Sequence, residues 1–162
     1  MCIRDSSYEA ALKSIERIAK PSAQIMEAKQ KILFQLGTQS FANANFEQAL
    51  QYLNQSIAIG QYNRQTKADA YYWCGESYYR LNRMMEAARD FNAYLQLTTQ
   101  PNNEMYALAN YNLGYIAFHR KDYTQASNYF QKYIQLEKGE NRTALADAYN
   151  RIGDLSLIHI SE

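Results

Sequence analysis

Apolar residues along this chain recur at intervals of three and four, and the intervals keep one phase around four glycines. Gly37, Gly75, Gly114 and Gly153 lie 38, 39 and 39 residues apart. An internal repeat of this length outranks every other sequence signal. One residue before each glycine stand Leu36, Cys74, Leu113 and Ile152; four before stand Leu33, Tyr71, Asn110 and Tyr149. Nine residues after come Phe46, Met84 and Tyr123, and twelve after come Ala49, Ala87 and Ala126. Sixteen after are Leu53, Phe91 and Phe130, followed four further on by Ile57, Leu95 and Ile134. Offsets of three and four are the helical period, so each repeat predicts two amphipathic helices. They fall near 23–42 and 46–59, 64–81 and 84–97, 103–119 and 123–137, with a last helix from about 142.

The punctuation fits this division. Gly60 and Gly139 follow second helices, where a C-cap belongs, and Pro21 and Pro101 fall in the gaps between repeats, where helices end. Before Pro21, Tyr8, Ala11 and Ile15 repeat the spacing of Tyr123, Ala126 and Phe130, which reads as the second helix of a repeat lacking its first half. A glycine inside a helix costs roughly 1 kcal/mol against alanine. Four at one phase imply a steric need: the first helix is approached too closely for a side chain. The alanine twelve residues later is expected to be the small residue facing it.

Both ends depart from the repeat. Leu155 to Ile160 back-translate as CTG TCT CTT ATA CAC AT, and the reverse complement, ATG TGT ATA AGA GAC AG, encodes Met1 to Asp5. Residues 1–6 and 155–162 are therefore expected to be translated transposon mosaic-end adapter, excluded from fold reasoning. The repeat segment is expected at 7–154: a half repeat 7–20, repeats at about 23–60, 64–99 and 103–139, and a half repeat 142–154. The parent chain is expected to continue beyond both ends.

Setting the ends aside leaves 16 basic and 14 acidic side chains, a net charge of +2. Without a long basic run, that argues against nucleic acid, whose binding rests on many phosphate contacts. No transmembrane stretch lies in this segment, and a content of 47% hydrophobic residues suits a folded chain rather than a disordered one. One cysteine, Cys74, and one histidine, His119, remain. Cys74 sits at a buried phase with no polarising base implied, so it reads as a core thiol rather than a nucleophile. His119 lacks the partners of a metal site. No phosphate-binding loop or nucleophile elbow is present. The segment is expected to hold no active site, cofactor or metal.

The stretch Tyr71-Tyr72-Trp73-Cys74-Gly75 with Tyr78, Ala87 and Phe91, and the stretch Tyr111-Asn112-Leu113-Gly114 with Tyr123, Ala126 and Phe130, resemble the tetratricopeptide repeat. The resemblance covers 7–154 and implies an all-α fold, an α-solenoid of antiparallel helix-turn-helix repeats wound as a superhelix. The period departs from the family's 34 residues. Because the interval from glycine to alanine stays at twelve, the extra length is placed between that alanine and the next glycine. Asn110 replaces an expected large residue, and Ala44 and Asn82 stand where many repeats carry a turn glycine.

Family members bind peptide segments in a concave groove lined by first helices. Position by position, the resemblance implies a groove of Lys31, Phe34, Thr38 and Phe41, then Asp69, Tyr72, Glu76, Tyr79 and Arg80, then Leu108, Tyr111, Tyr115, Phe118 and His119. Tyrosines suit such a surface because they bury area and keep a hydrogen-bonding tip; some are also expected to pack between helices. Phe34, Thr38 and Glu76 stand where a carboxylate clamp would need donors, which disfavours acidic chaperone tails. The implied function is a protein–protein scaffold taking a protein or peptide partner, with self-association through open repeat ends. The alternatives are a regulatory or targeting arm of a larger enzyme or transcription regulator, and a structural spacer. Tyrosine-rich, long-period arrays resemble bacterial envelope-assembly proteins, which points to the cell envelope or periplasm.

Overall fold

The computed structural model describes residues 3–101, 103–137, 139 and 141–160; for 3–5, 159 and 160 only the backbone is described. Among the described residues there are eight α-helices: α1 (Ile3–Glu16), α2 (Ala23–Ala42), α3 (Phe46–Ala58), α4 (Arg64–Arg80), α5 (Met84–Leu97), α6 (Glu104–His119), α7 (Tyr123–Leu136) and α8 (Arg142–Ile160). A 3₁₀ turn, Gly60–Tyr62, precedes α4. The helices fall into two compact units, 1–99 and 100–162.

The first helices begin where a side chain satisfies an orphan backbone N–H. Ser22 accepts from Ile25 N, Asn63 from Thr66 N and Asn103 from Tyr106 N; Asn141 accepts from Ala144 N at 3.1 Å. Such caps are each worth about 1 kcal/mol. The first helices all end in one way. Ala44, Asn82 and Lys121, seven residues after their glycines, have φ of 59°, 59° and 61°. The next amide reaches back five residues, from Asn45 to Ser40, Arg83 to Tyr78 and Asp122 to Ala117. This is a Schellman closure, which satisfies terminal carbonyls and turns the chain into the second helix.

In the first unit α2 pairs with α3 and α4 with α5, while α1 rests on α2 and α3 on α4. In the second, α6 pairs with α7, and α7 rests on α8. The repeated glycines sit under the large apolar side chain sixteen residues later. A Cβ on Gly37 would lie 2.5 Å from Leu53 Cγ; on Gly75, 2.8 Å from Phe91 Cδ1; on Gly114, 2.8 Å from Phe130 Cε1. The facing residue is therefore Leu53, Phe91 or Phe130, and not the alanine expected from spacing. The ring needs a helix backbone stripped of its side chain to lie flat against. Ala49, Ala87 and Ala126 are nonetheless wholly buried.

Gly153 meets nothing within 4 Å, so its phase is kept without the contact that explains it elsewhere. Gly60 also departs from expectation. Ile59 caps α3, Gly60 opens the 3₁₀ turn, and a Cβ there would strike Lys67 at 2.4 Å. Gly60 is therefore not a left-handed cap, and what approaches it is the flexible side chain of Lys67. Gly139, with φ +85°, does adopt the left-handed conformation.

The connector 59–63 is longer than the turns 43–45 and 81–83 within hairpins, and it is held by a buried amide. Gln30, fully buried on α2, donates from Nε2 to the Asn63 carbonyl at 2.8 Å and accepts the Asn63 N–H on Oε1 at 3.0 Å. Ser56 Oγ donates to the Gln30 carbonyl at 2.8 Å. A buried side-chain amide with both ends matched adds stability, and unmatched it would cost 1–3 kcal/mol or so per group. The last helix runs on through the segment read as adapter: Leu155 is 2% exposed and lies with Ala126, Phe130 and Ala148 in the second unit's core.

Candidate interaction surface

The first-helix side chains of the first unit divide into those consumed by packing and those turned outward. Phe34 and Thr38 are half-buried on α2, and Lys31 is exposed, its Nζ 3.0 Å from Glu27. Phe41 meets Trp73 edge-on at 4.9 Å and Phe46 at 5.3 Å, with the Arg80 guanidinium 5.8 Å above its ring. Tyr72 is not on the surface. It is 4% exposed, set edge-on against Trp73, Phe91 and Tyr94, and its O–H donates to Glu76 Oε1 at 3.1 Å. It belongs to the core because its ring closes over Phe91. Tyr79 is half-buried and Arg80 exposed. Asp69 accepts from Gln65 Nε2 at 2.7 Å; burial lifts its pKa above the ordinary carboxylate value, against the pull of that hydrogen bond.

In the second unit, α6 presents Tyr111 and Tyr115 to α8. Both phenols donate to Asp147 Oδ2, Tyr111 at 2.9 Å. Arg151 Nε donates to the Tyr115 oxygen at 3.3 Å, and its guanidinium lies 5.5 Å from the rings of both Tyr115 and Phe118. Burial, then the bonds with Tyr115 and Asp147, push the Tyr111 pKa well above 10. Leu108 and Phe118 are half-buried, and His119 is exposed beside Phe118. Much of this aromatic set is thus already partnered within the unit.

Asp147 and Arg151 are the residues the sequence reasoning missed. Asp147 stands six before Gly153, the phase of Asp69 before Gly75, so carrying the register into the last half repeat would have found it. Arg151 shares the phase of Trp73, two before the glycine. Each covers the aromatic residue four after the preceding glycine: Trp73 covers Phe41, and Arg151 covers Phe118. An edge-on aromatic pair and a guanidinium over a ring are both favourable contacts. Also unforeseen is a polar cleft of about 200 Å³ lined by Glu9, Leu36, Gln39, Asn43, Gln48 and Tyr52.

Cys74 is wholly buried, and burial, reinforced by the Asp90 carboxylate, pushes its thiol well above the ordinary value. Such a thiol stays protonated and unreactive. Among the described residues no group of three His, Cys, Asp or Glu side chains could hold a metal ion, and no helix is long and apolar enough to cross a membrane.

Residues 107–140 match the family model described as tetratricopeptide repeat. No curated protein matches the chain. Among solved structures, BtubC (BKLC) from P. vanneervenii is similar with a TM-score of 0.71 at 14% identity, over 93% of this chain and 63% of that one. This chain therefore spans less than two thirds of BtubC. MamA is similar with a TM-score of 0.64 at 20% identity, over 96% of this chain and 83% of that one. A second MamA structure gives 0.64 at 19% identity, over 94% and 73%. At these identities the likeness concerns the fold: an all-α array of helical hairpins.

Proposed function

From a chain that carries a tetratricopeptide repeat at residues 107–140 within an all-α array of helical hairpins, we propose a scaffold in which the first helices of each unit present a peptide-binding surface. Helical-repeat proteins of this family are protein-interaction scaffolds in general, and the fold is typically non-catalytic. Phe34, Thr38, Tyr79 and Arg80 in the first unit, and Phe118 and His119 in the second, are at least partly exposed on first helices. One observation carries the reading: four residues after its glycine each of the three complete repeats holds a half-buried aromatic on its first helix, Phe41, Tyr79 and Phe118. Half-exposed aromatics flanked by a charge are the composition of binding hot spots.

The ligand that fits is an extended segment with apolar or aromatic side chains. A free acidic terminus fits poorly, since Glu76 is the residue at the clamp position and Thr38 offers one hydroxyl already donating to the Gln35 carbonyl at 3.1 Å. The test is a random-peptide selection against the intact chain, repeated on Tyr79→Ala combined with Phe118→Ala. Enriched apolar peptides that bind the parent and lose at least tenfold in affinity on the folded double variant support the reading. Unchanged binding by that variant moves the site off the first helices.

A further inference from the structure

The polar cleft of about 200 Å³ lies where α1, α2 and α3 meet, and the register of the repeat supplies its counterpart one repeat on, where α3, α4 and α5 meet. Three residues after the glycine, the cleft has Ser40 where the second joint has Tyr78. Fifteen after, it has Tyr52 where the second joint has Asp90. Each joint still pairs an aromatic ring with a carboxylate: Tyr78 with Asp90 in the second, Tyr52 with Glu9 in the first.

The second joint shows what such a pair accommodates. Arg89 Nε donates to Asp90 Oδ1 at 2.8 Å, and its guanidinium stands 5.8 Å from the Tyr78 ring centre. The Arg83 guanidinium lies 4.8 Å from the same ring. The first joint has the ring and the carboxylate without the cation. The phases of Arg83 and Arg89 hold Asn45 and Gln51 there. Among the described residues no ion pair reaches Glu9. Its carboxylate is close enough to Tyr52 to reinforce burial in raising the phenol's pKa. Ser40, small where Tyr78 is large, leaves the space open.

We propose that this cleft binds a guanidinium group supplied from outside the chain, which lies over the Tyr52 ring and donates to the Glu9 carboxylate. A guanidinium presents five N–H donors in a planar fork, so it needs several acceptors and a flat face. The walls offer both: Glu9, the amide oxygens of Gln39 and Asn43, and the Tyr52 ring. Gln48 Oε1 already accepts from Asn45 Nδ2 at 3.0 Å, and Ser40 Oγ donates to the Leu36 carbonyl at 2.8 Å, so the ligand's donors fall to Glu9, Gln39 and Asn43. A compact ammonium reaches fewer of these acceptors at once and has no face to stack.

Glu9 stands three residues before Leu12, on the side of α1 that packs on α2. The site therefore uses neither residues 1–6 nor the face of α1 that carries Ala11 and Ile15. It shares no residue with the peptide-binding surface, and the two readings stand or fall separately.

The experiment is a titration of the isotope-labelled intact chain with N-acetyl-arginine amide, followed by backbone amide shifts in NMR. It is repeated with N-acetyl-citrulline amide, which keeps the shape and loses the charge. One exposed ion pair with one cation–π contact sets a dissociation constant on the order of 1–10 mM. Shifts at Glu9, Ser40 and Tyr52 are expected with arginine and absent with citrulline. Glu9→Gln, at a half-buried surface site that keeps the fold, should weaken binding about fivefold. Ser40→Tyr puts the second joint's own ring into the cleft and should abolish binding. Free arginine, titrated alongside, identifies the source: tighter binding than the capped form points to the free amino acid, equal or weaker binding to a side chain of a partner. No cleft shifts with either arginine form, equal shifts with citrulline, or undiminished binding by Glu9→Gln or Ser40→Tyr would each overturn the proposal.

Discussion

Replacing Gly75 by alanine pits helix propensity against packing, and the structure says which wins. Alanine gains about 1 kcal/mol over glycine inside a helix. Its Cβ, however, would stand 2.8 Å from both Phe91 Cδ1 and Cε1 and 3.0 Å from Cγ. Real contacts of this kind do not occur, so the ring must move. It has nowhere to go: Phe91 is fully buried and Tyr72 meets it edge-on at 5.7 Å. Overpacking of a closed core costs about 1–3 kcal/mol, leaving a net loss near ~1 kcal/mol, up to about 2. Gly153→Ala, with nothing within 4 Å, should keep the propensity gain and stabilise by up to about 1 kcal/mol. The assay is urea denaturation followed by circular dichroism, with two double-mutant cycles. Gly75→Ala with Phe91→Ala should recover at least ~1 kcal/mol of coupling, because removing the ring removes the clash. Gly75→Ala with Ala87→Gly should show none. A stabilising Gly75→Ala, or coupling to Ala87 instead of Phe91, refutes the account of why the glycine repeats.

The remaining predictions concern the turns and the tyrosine cluster. Ala44 holds φ +59° on an exposed turn, a conformation costing roughly 1–2 kcal/mol for a residue with a Cβ. Ala44→Gly should therefore raise the denaturation midpoint, by about 0.5–1 kcal/mol after the extra freedom of the unfolded chain is deducted. Asn82→Gly should gain less, because asparagine tolerates this region; a lower midpoint for Ala44→Gly would contradict the Schellman reading. Tyr111 is held neutral by burial, with its bonds to Tyr115 and Asp147 reinforcing the effect. A raised folded-state pKa means that its contribution to stability is complete below pH about 10 and is lost as the pH climbs above that. In a spectrophotometric titration of phenolate, Tyr111→Phe should remove a late-ionising tyrosine and leave the main step near pH 10 unchanged; loss from the main step would show that Tyr111 is not shielded.

Most of the fold could be read from spacing because the same local forces act at each repeat. Helix α2 spans the predicted 23–42, and α5 the predicted 84–97. Partner identity was harder. Twelve and sixteen residues after the glycine both lie on the buried face of the second helix, and periodicity alone cannot tell which one touches the glycine. Gln30 was invisible for a related reason. Its phase holds Ala68 and Ala107 in the following repeats, so nothing in the pattern signals a buried amide clasping a connector. The family resemblance implies a groove position for Tyr72, but here the neighbouring Phe91 and Tyr94 draw it inward.

The contrast between fixed and changing positions bears on where specificity resides. Twelve residues after the glycine every repeat has alanine, and sixteen after, every repeat has a large apolar side chain, because both are enclosed by the hairpin. Six before the glycine the residues are Lys31, Asp69, Leu108 and Asp147, exposed or half-buried in each case. One structural position thus offers a cation, a carboxylate, an apolar side chain and a second carboxylate. Packing imposes no single chemistry there, since Lys31 pairs with Glu27, Asp69 with Gln65, and Asp147 with two tyrosines. A scaffold whose backbone repeats while this position varies can present a different contact at each step along its first helices. In the proposed groove, discrimination between ligands would then rest on this position, and the half-exposed aromatics would supply the common affinity. Exchanging the charges, Lys31→Asp together with Asp69→Lys, should alter which peptides are selected from a random pool while the melting temperature moves little. An unchanged peptide preference would place discrimination elsewhere on the first helices.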